Sequence, residues 1–225
     1  MKSISLSGWR QAKKLTMALT IYMTSDFICP WCWVAKSRVD QAIEQLDFSV
    51  DVERVWLPFE LNPDMPAEGI DRQLYRSTKF GSWAHSQQLD AQTVQATQAD
   101  EVEFHYEKIK VTPNTFNAHR LTWLAGKSGL ATEMGDRILR AYFSEGQDIG
   151  QAATLSALAG EIGLETEAVS RFLSSNAGVE EVRRLEKQAI SQGIRGVPSI
   201  RIGNTTISGA QSVGTLVAAL KRETA

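Results

Sequence analysis

Two cysteines, Cys29 and Cys32, are the only thiols of the chain, and they stand three positions apart in Asp26-Phe27-Ile28-Cys29-Pro30-Trp31-Cys32. An apolar run of strand character precedes them and a helical pattern follows. Two thiols delivered to the start of a helix form a redox arrangement. The first helical turn carries backbone N–H groups without intrahelical partners, and the aligned peptide dipoles put partial positive charge there. A thiolate is an anion, so such a place favours it, and the thiolate is the form that attacks. Pro30 suits the first helical position because its missing N–H is not needed there. Cys29 is therefore the expected nucleophile. Cys32, one turn on along the same face, is within disulfide reach and is expected to resolve the mixed disulfide that Cys29 forms with a partner.

Two other uses of a Cys-X-X-Cys pair stand beside this one. It can be half of a zinc site, but zinc takes about four ligands. The three histidines, His85, His105 and His119, are scattered without paired spacing. It can be an inert structural disulfide, although so short a loop constrains the unfolded chain little.

Other residues near these motifs have a functional and a plain reading. Trp31 between the thiols is expected to form an apolar lip over the site, or else to pack inward, and Trp33 reads as core. Asp26 orients the loop, or accepts a proton as the disulfide forms, or is simply a turn or cap aspartate. His119 either lies across a cleft from Cys29 or is a satisfied structural histidine. Arg120 beside it meets an anionic substrate group or makes a surface salt bridge. His85 and His105 read as surface polar residues.

The whole chain has 225 residues, 43% apolar and 22% charged, with a formal charge of −2. These are the proportions of a soluble globular protein. The slight negative balance speaks against a nucleic-acid surface. The longest apolar run, Leu15 to Met23, is interrupted by Thr16 and Thr20 and is too short to span a membrane. Arg10, Lys13 and Lys14 before it suggest a signal peptide, but no small-x-small cleavage site precedes the cysteines. Two thiols in one motif do not make a secreted disulfide framework and fit a reducing, cytoplasmic setting. Residues 1–16 are basic and read as a flexible extension.

Positioning the thiols requires a scaffold, and its elements are legible in order. Leu19, Ile21 and Met23 alternate with polar neighbours as a strand. Ala35, Val39, Ala42, Ile43 and Leu46 recur at helical spacing. Phe48, Val50 and Val52 begin a second strand that ends at Leu57-Pro58. From Asp71 to Gln192 no strand is apparent. Helices are expected over 115–127, 130–145, 152–162, 166–174 and 178–192, several closed by glycine. A polar, glutamine-rich stretch over 84–99 reads as a weakly held outer helix. Val197, Ile200 and Ile202 open a strand, Gly203-Asn204 turns, Thr205 to Ser208 returns, and Ser212 caps a last helix. The pattern is β-α-β, helical insertion, β-β-α.

This order, with Cys-X-X-Cys at the first helix and Val197-Pro198 opening the third strand, resembles the thioredoxin fold, and the long insertion resembles its DsbA-like branch. Six stretches are similar to the FrnE-type oxidoreductases of that branch: Ser25 to Cys32, Pro58 to Pro63, Pro113 to Arg120, Arg140 to Phe143, Arg195 to Pro198, and Ser208 to Gln211. Asn117 departs from the pattern, where many relatives have an acid. The resemblance implies an α/β fold with a large all-helical insertion. It divides the chain into a thioredoxin-fold domain (17–66 and 194–225) and an inserted helical domain (67–193). It implies a protein disulfide oxidoreductase in which Cys29 attacks, Cys32 resolves, and Pro198 is a cis-proline facing the dithiol. Because proline has no N–H, the main chain of Val197 stays available to a substrate backbone. Val197, Pro198, Trp31 and His119 are thus the expected substrate-binding residues. No metal or organic cofactor is expected beyond the Cys29–Cys32 disulfide itself. The expected partners are thiol or disulfide proteins or glutathione, with no nucleic acid and no membrane, and a helical insertion with exposed apolar surface fits a homodimer. The same scaffold serves 2-hydroxychromene-2-carboxylate isomerase and kappa-class glutathione transferases, and a non-redox peptide-binding or chaperone module is a third reading. The complete dithiol favours disulfide exchange over both.

Overall fold

The computed structural model describes residues 18–46 and 51–224. The basic extension 1–16 and the strand positions Phe48 and Val50 lie outside the described residues. Strand β1 (Ala18–Ser25) leads through the motif into helix α1 (Pro30–Glu44), and strand β2 (Asp51–Pro58) follows. A helical connection favours a parallel pair, and β1 and β2 are parallel, with Ile21 opposite Arg54 and Ser25 opposite Pro58. Strand β5 (Ser199–Ile202) lies antiparallel on the other side of β1, and β6 (Thr205–Ser208) pairs outside it. The sheet order is β2-β1-β5-β6. Helix α9 (Val213–Glu223) closes the fold, its first turn capped by the Ser212 hydroxyl, which accepts from the Thr215 N–H. This is the α/β thioredoxin fold of the DsbA-like kind that the element order implied.

Between β2 and β5 run α2 (Arg72–Phe80), α3 (Trp83–Ala96), α4 (Phe116–Gly126), α5 (Ala131–Phe143), α6 (Ala152–Glu161), α7 (Thr166–Leu173) and α8 (Val179–Ser191). The five helices expected between 115 and 192 are present to within about two residues, the outer helix expected over 84–99 ends at Ala96, and α2 was not expected. The expectation of an all-helical insertion needs a correction. Ile70–Asp71 (β3) and Val111–Thr112 (β4) pair antiparallel. Two-residue strands carry no alternation, so their pairing is a product of tertiary contact and leaves no period to read.

Two apolar clusters meet at the cysteine motif. One joins the sheet to α1 and α9 through Leu19, Ile21, Met23, Ala35, Val39, Ile200 and Leu216. The other fills the insertion with Leu121, Met134, Ile138, Leu139, Phe143 and Leu155, and it includes Phe27 and Trp33. Helix α1 is therefore buried on two faces, one toward each cluster, with the thiols at the seam. Close approach also explains Gly135 in mid-helix, where an added Cβ would come within 2.7 Å of the Trp56 indole. Among the described residues no helix is long and apolar enough to cross a membrane.

Candidate active site

Cys29 is the residue just before α1, extended at φ −95° and ψ 110°, and Pro30 follows at the first helical position. No side chain caps this helix end. The sulfur thus sits where first-turn amides lack intrahelical partners. The Cys32 N–H donates to the Cys29 carbonyl at 3.0 Å, holding the two residues in one turn. Both cysteines are free thiols, Cys29 6% exposed and Cys32 1%. Cys29 lines the adjoining cavity and Cys32 does not, which orders the chemistry. Burial pushes the Cys32 thiol well above the ordinary cysteine value, and the neighbouring Cys29 sulfur adds to it. The Ser25 hydroxyl and the Asp26 main chain draw it partly back.

Across from the motif comes the loop before β5. The Val197–Pro198 peptide bond is cis, and the Val197 carbonyl oxygen lies 3.7 Å from Cys29 Sγ, the two residues being 168 positions apart. The structure thus brings Cys29, Cys32, Val197 and Pro198 together. Val197 is half-buried and Pro198 buried. Trp31 is 38% exposed and forms the rim of a cavity of about 440 Å³ that opens at Cys29. Trp33 points the other way, stacked on Phe143 with ring centroids 6.0 Å apart. A second hollow of about 800 Å³ lies on the Val197 side, bounded by Tyr22, Arg195, Gly196, Pro198 and Ser208.

Behind the motif is a buried charged network. Asp26 is fully buried; one carboxylate oxygen accepts from the Phe27 N–H and the other from the Leu61 N–H, both at 2.7 Å. It is thus the tie between the motif loop and the chain leaving β2, more than a turn cap. His119, expected to touch a substrate, is instead an interior residue at 5% exposure. Its ring packs against Phe27, centroids 4.9 Å apart, and Nε2 lies 3.4 Å from Asp26 Oδ1 without a hydrogen bond. The reason is the register of α4, whose His119 side faces the back of the motif. Glu60, which drew no notice in the sequence, is buried nearby. It is paired to Arg183, and its N–H donates to Glu186 at 2.7 Å. Burial raises its carboxyl above the usual range against the pull of Arg183. An acid set within Pro58-Phe59-Glu60-Leu61 was the available signal. Among the described residues no cluster of three His, Cys, Asp or Glu has the makings of a metal site.

Arg120 also differs from both of its expected roles. It is 3% exposed, and its guanidinium donates to the carbonyls of Phe172, Leu173, Ser175 and Ala177 and to Asn117 Oδ1 at 2.7 Å. It satisfies the orphan carbonyls at the end of α7, a structural task. Asn117, the departure from the resembled pattern, is one of its partners.

The comparisons with known proteins agree with this geometry. The uncharacterized protein YwbO of Bacillus subtilis (strain 168) is 31% identical over 195 residues, 86% of this chain and 92% of its own length. The structure of a probable DsbA oxidoreductase, SCO1869 of Streptomyces coelicolor, superposes with a TM-score of 0.84 at 27% identity, over 91% of this chain and 89% of that one. The cytosolic disulfide reductase DsbM of Pseudomonas aeruginosa, also solved with GSH, shares the fold at a TM-score of 0.63 and 18% identity, over 92% of this chain and 98% of its own. With a thiol pair at a helix start, a cis-proline loop facing it, and a match of the DSBA-like thioredoxin domain model to residues 20–221, this chain belongs to the DSBA-like thioredoxin domain family.

Proposed function

We propose that the protein is a thiol–disulfide oxidoreductase of the FrnE type, exchanging its Cys29-Pro30-Trp31-Cys32 dithiol with protein disulfides or with small thiols such as glutathione. Cys29 attacks a partner disulfide, forms a Cys29–S–partner bond and expels the partner's second sulfur as a thiolate. Cys32 then loses its proton and attacks Cys29 Sγ, closing the intramolecular disulfide and releasing the partner as a second thiol. Two electrons pass from the dithiol to the partner, and the reverse sequence oxidises a partner dithiol. The main chain of Val197, in the loop just before β5, is where a partner backbone lies. Nothing in this scheme calls for a metal or an organic cofactor.

The observation that carries the reading is the approach of Cys29 Sγ to the Val197 carbonyl, 3.7 Å away in a cis Val197–Pro198 loop. The Cys29 sulfur and the main chain of the Val197 loop then meet the same segment of a bound partner. The test is insulin reduction by dithiothreitol, followed by turbidity. The protein accelerates it and Cys29→Ser does not. Equal acceleration by wild type and Cys29→Ser would sink the reading and favour a non-redox peptide-binding module.

A further inference from the structure

The cavity beside Cys29 has a wall chemistry that disulfide exchange alone does not explain. Its floor is apolar, with Ile28, Phe80, Leu89 and Phe143. Three cations, Arg72, Arg76 and Lys79, line it against a single carboxylate, Asp90. Both oxygens of Asp90 are already taken, Oδ2 by Arg72 at 2.7 Å and Oδ1 by Arg76 at 2.8 Å. Arg72 is 4% exposed and lies between the rings of Trp83 and Tyr106, 5.5 and 5.3 Å from their centroids. Lys79 donates to the Tyr75 hydroxyl at 2.7 Å, a neutral partner. The wall therefore carries positive charge in excess of its own anions, on buried Arg72, half-buried Arg76 and exposed Lys79 at the mouth, and an anion is favoured beside it.

A second, independent feature points the same way. The Tyr106 hydroxyl on this wall is buried without a well-formed hydrogen bond, Thr93 being the side chain beside it. Buried polar groups are normally paired, so such a hydroxyl beside surplus cations fits a ligand acceptor atom. The volume of about 440 Å³ matches a small molecule more closely than a peptide strand, whose path runs along the Val197 side.

Resting on the oxidoreductase reading, we propose that this cavity binds a small disulfide, or the thiol made from it, with an aromatic or otherwise apolar body and a carboxylate. The apolar body lies between Trp31 and Phe80, the carboxylate meets Arg76 and Lys79, and the sulfur faces Cys29. Attack by Cys29 forms the Cys29–S–R bond and releases R–S⁻. Closure by Cys32 releases the second R–S⁻ and one proton, so the dithiol is oxidised by two electrons and the disulfide reduced to two thiols. An added dithiol such as dithiothreitol returns the protein to its reduced state.

The test mixes the reduced full-length protein with dithiobis(nitrobenzoate), an aromatic disulfide with one carboxylate per ring, and with dithiodipyridine, its neutral counterpart. Each rate is divided by that of free dithiothreitol with the same disulfide, which removes intrinsic reactivity. The expected anionic-to-neutral ratio is about tenfold above unity, of the order that charge complementarity gives. Lys79→Gln and Arg76→Gln each lower it severalfold. Naphthoate, which carries no sulfur, slows the wild-type reaction with dithiodipyridine, and neutral naphthalenemethanol does so far less. That arm needs no variant to fold. A ratio near unity, unchanged by Lys79→Gln, with naphthoate without effect, overturns the proposal while leaving disulfide exchange intact. Reaction with neither disulfide faster than a free thiol overturns the oxidoreductase reading itself.

Discussion

Asp26 binds Phe27 and Leu61 through one carboxylate: its Oδ1 accepts from the Phe27 N–H and its Oδ2 from the Leu61 N–H, each at 2.7 Å. The loop carrying the thiols is thereby fastened to the segment that follows β2. Because Asp26 is fully buried, removing it leaves the interior Phe27 N–H and the part-buried Leu61 N–H unpaired. Asp26→Ala is expected to cost about 3 kcal/mol, and Asp26→Asn, which keeps one acceptor, roughly half as much. Urea unfolding of the three proteins checks the order. An Ala variant as stable as wild type would show that the tie is not structural.

Cys32 sets a pH dependence. Its thiol is raised above the ordinary value mainly by burial, with the neighbouring Cys29 sulfur adding to the rise. The attacking form of Cys32 is thus scarce at neutral pH. Closure of the mixed disulfide should speed up by about tenfold per pH unit through the neutral and mildly alkaline range, since only the thiolate attacks. Quenching the reaction with acid and weighing the Cys29 adduct by mass spectrometry gives its lifetime at each pH. In Cys32→Ser the adduct should persist. A lifetime independent of pH would mean that Cys32 is not the resolving thiol.

Arg120 holds the end of α7 rather than a substrate. Arg120→Lys keeps the charge but loses the planar fork that serves several carbonyls together, so it should not behave as a conservative change. A loss of about 2–4 kcal/mol is expected for Arg120→Ala and a smaller one for Arg120→Lys. The dithiol exchange rate per folded molecule should stay near that of wild type, and unfolding curves combined with the insulin assay separate the two effects.

Glu60 makes stability fall as the solution is brought from acid toward neutral. Its carboxyl is raised in the folded chain by burial, so the folded state holds that proton more tightly than the unfolded one. The resulting stabilisation is full below the ordinary glutamate value and is lost as pH rises through the raised one. Glu60→Gln, which never ionises, should remove this contribution, and the wild-type-minus-variant difference in unfolding free energy should shrink between about pH 4 and pH 7. A difference that grows over that span would mean the Arg183 pair outweighs burial.

Much of the frame was readable in advance because its signals are local. The Cys-X-X-Cys spacing, Pro30 behind Cys29, the alternation of β1, the stripe of Ala35, Val39 and Ala42, and the Ser212 cap each depend on residues a few positions apart. Their meaning survives without knowing the rest of the chain. The helices from α4 to α8 were legible by the same periodicity, whereas α2 (Arg72–Phe80) was not, nor was the pairing of Ile70–Asp71 with Val111–Thr112, too short to have a period.

By itself the sequence determined where a reactive thiol pair sits, that it opens a helix, and that the chain returns to the sheet between Val197 and Ile202, though the strand itself begins two residues later than read, at Ser199. Only the tertiary structure decided which polar groups go inside and against what. It set Asp26, His119 and Arg120 in the interior, made Glu60 a partner of Arg183, and gathered Arg72, Arg76 and Lys79 on the wall that faces Cys29. The physical reason is that propensity and periodicity act over one or two turns. A charge's burial and its partner depend instead on helix register and on contacts between residues far apart in the chain, such as Cys29 and Val197.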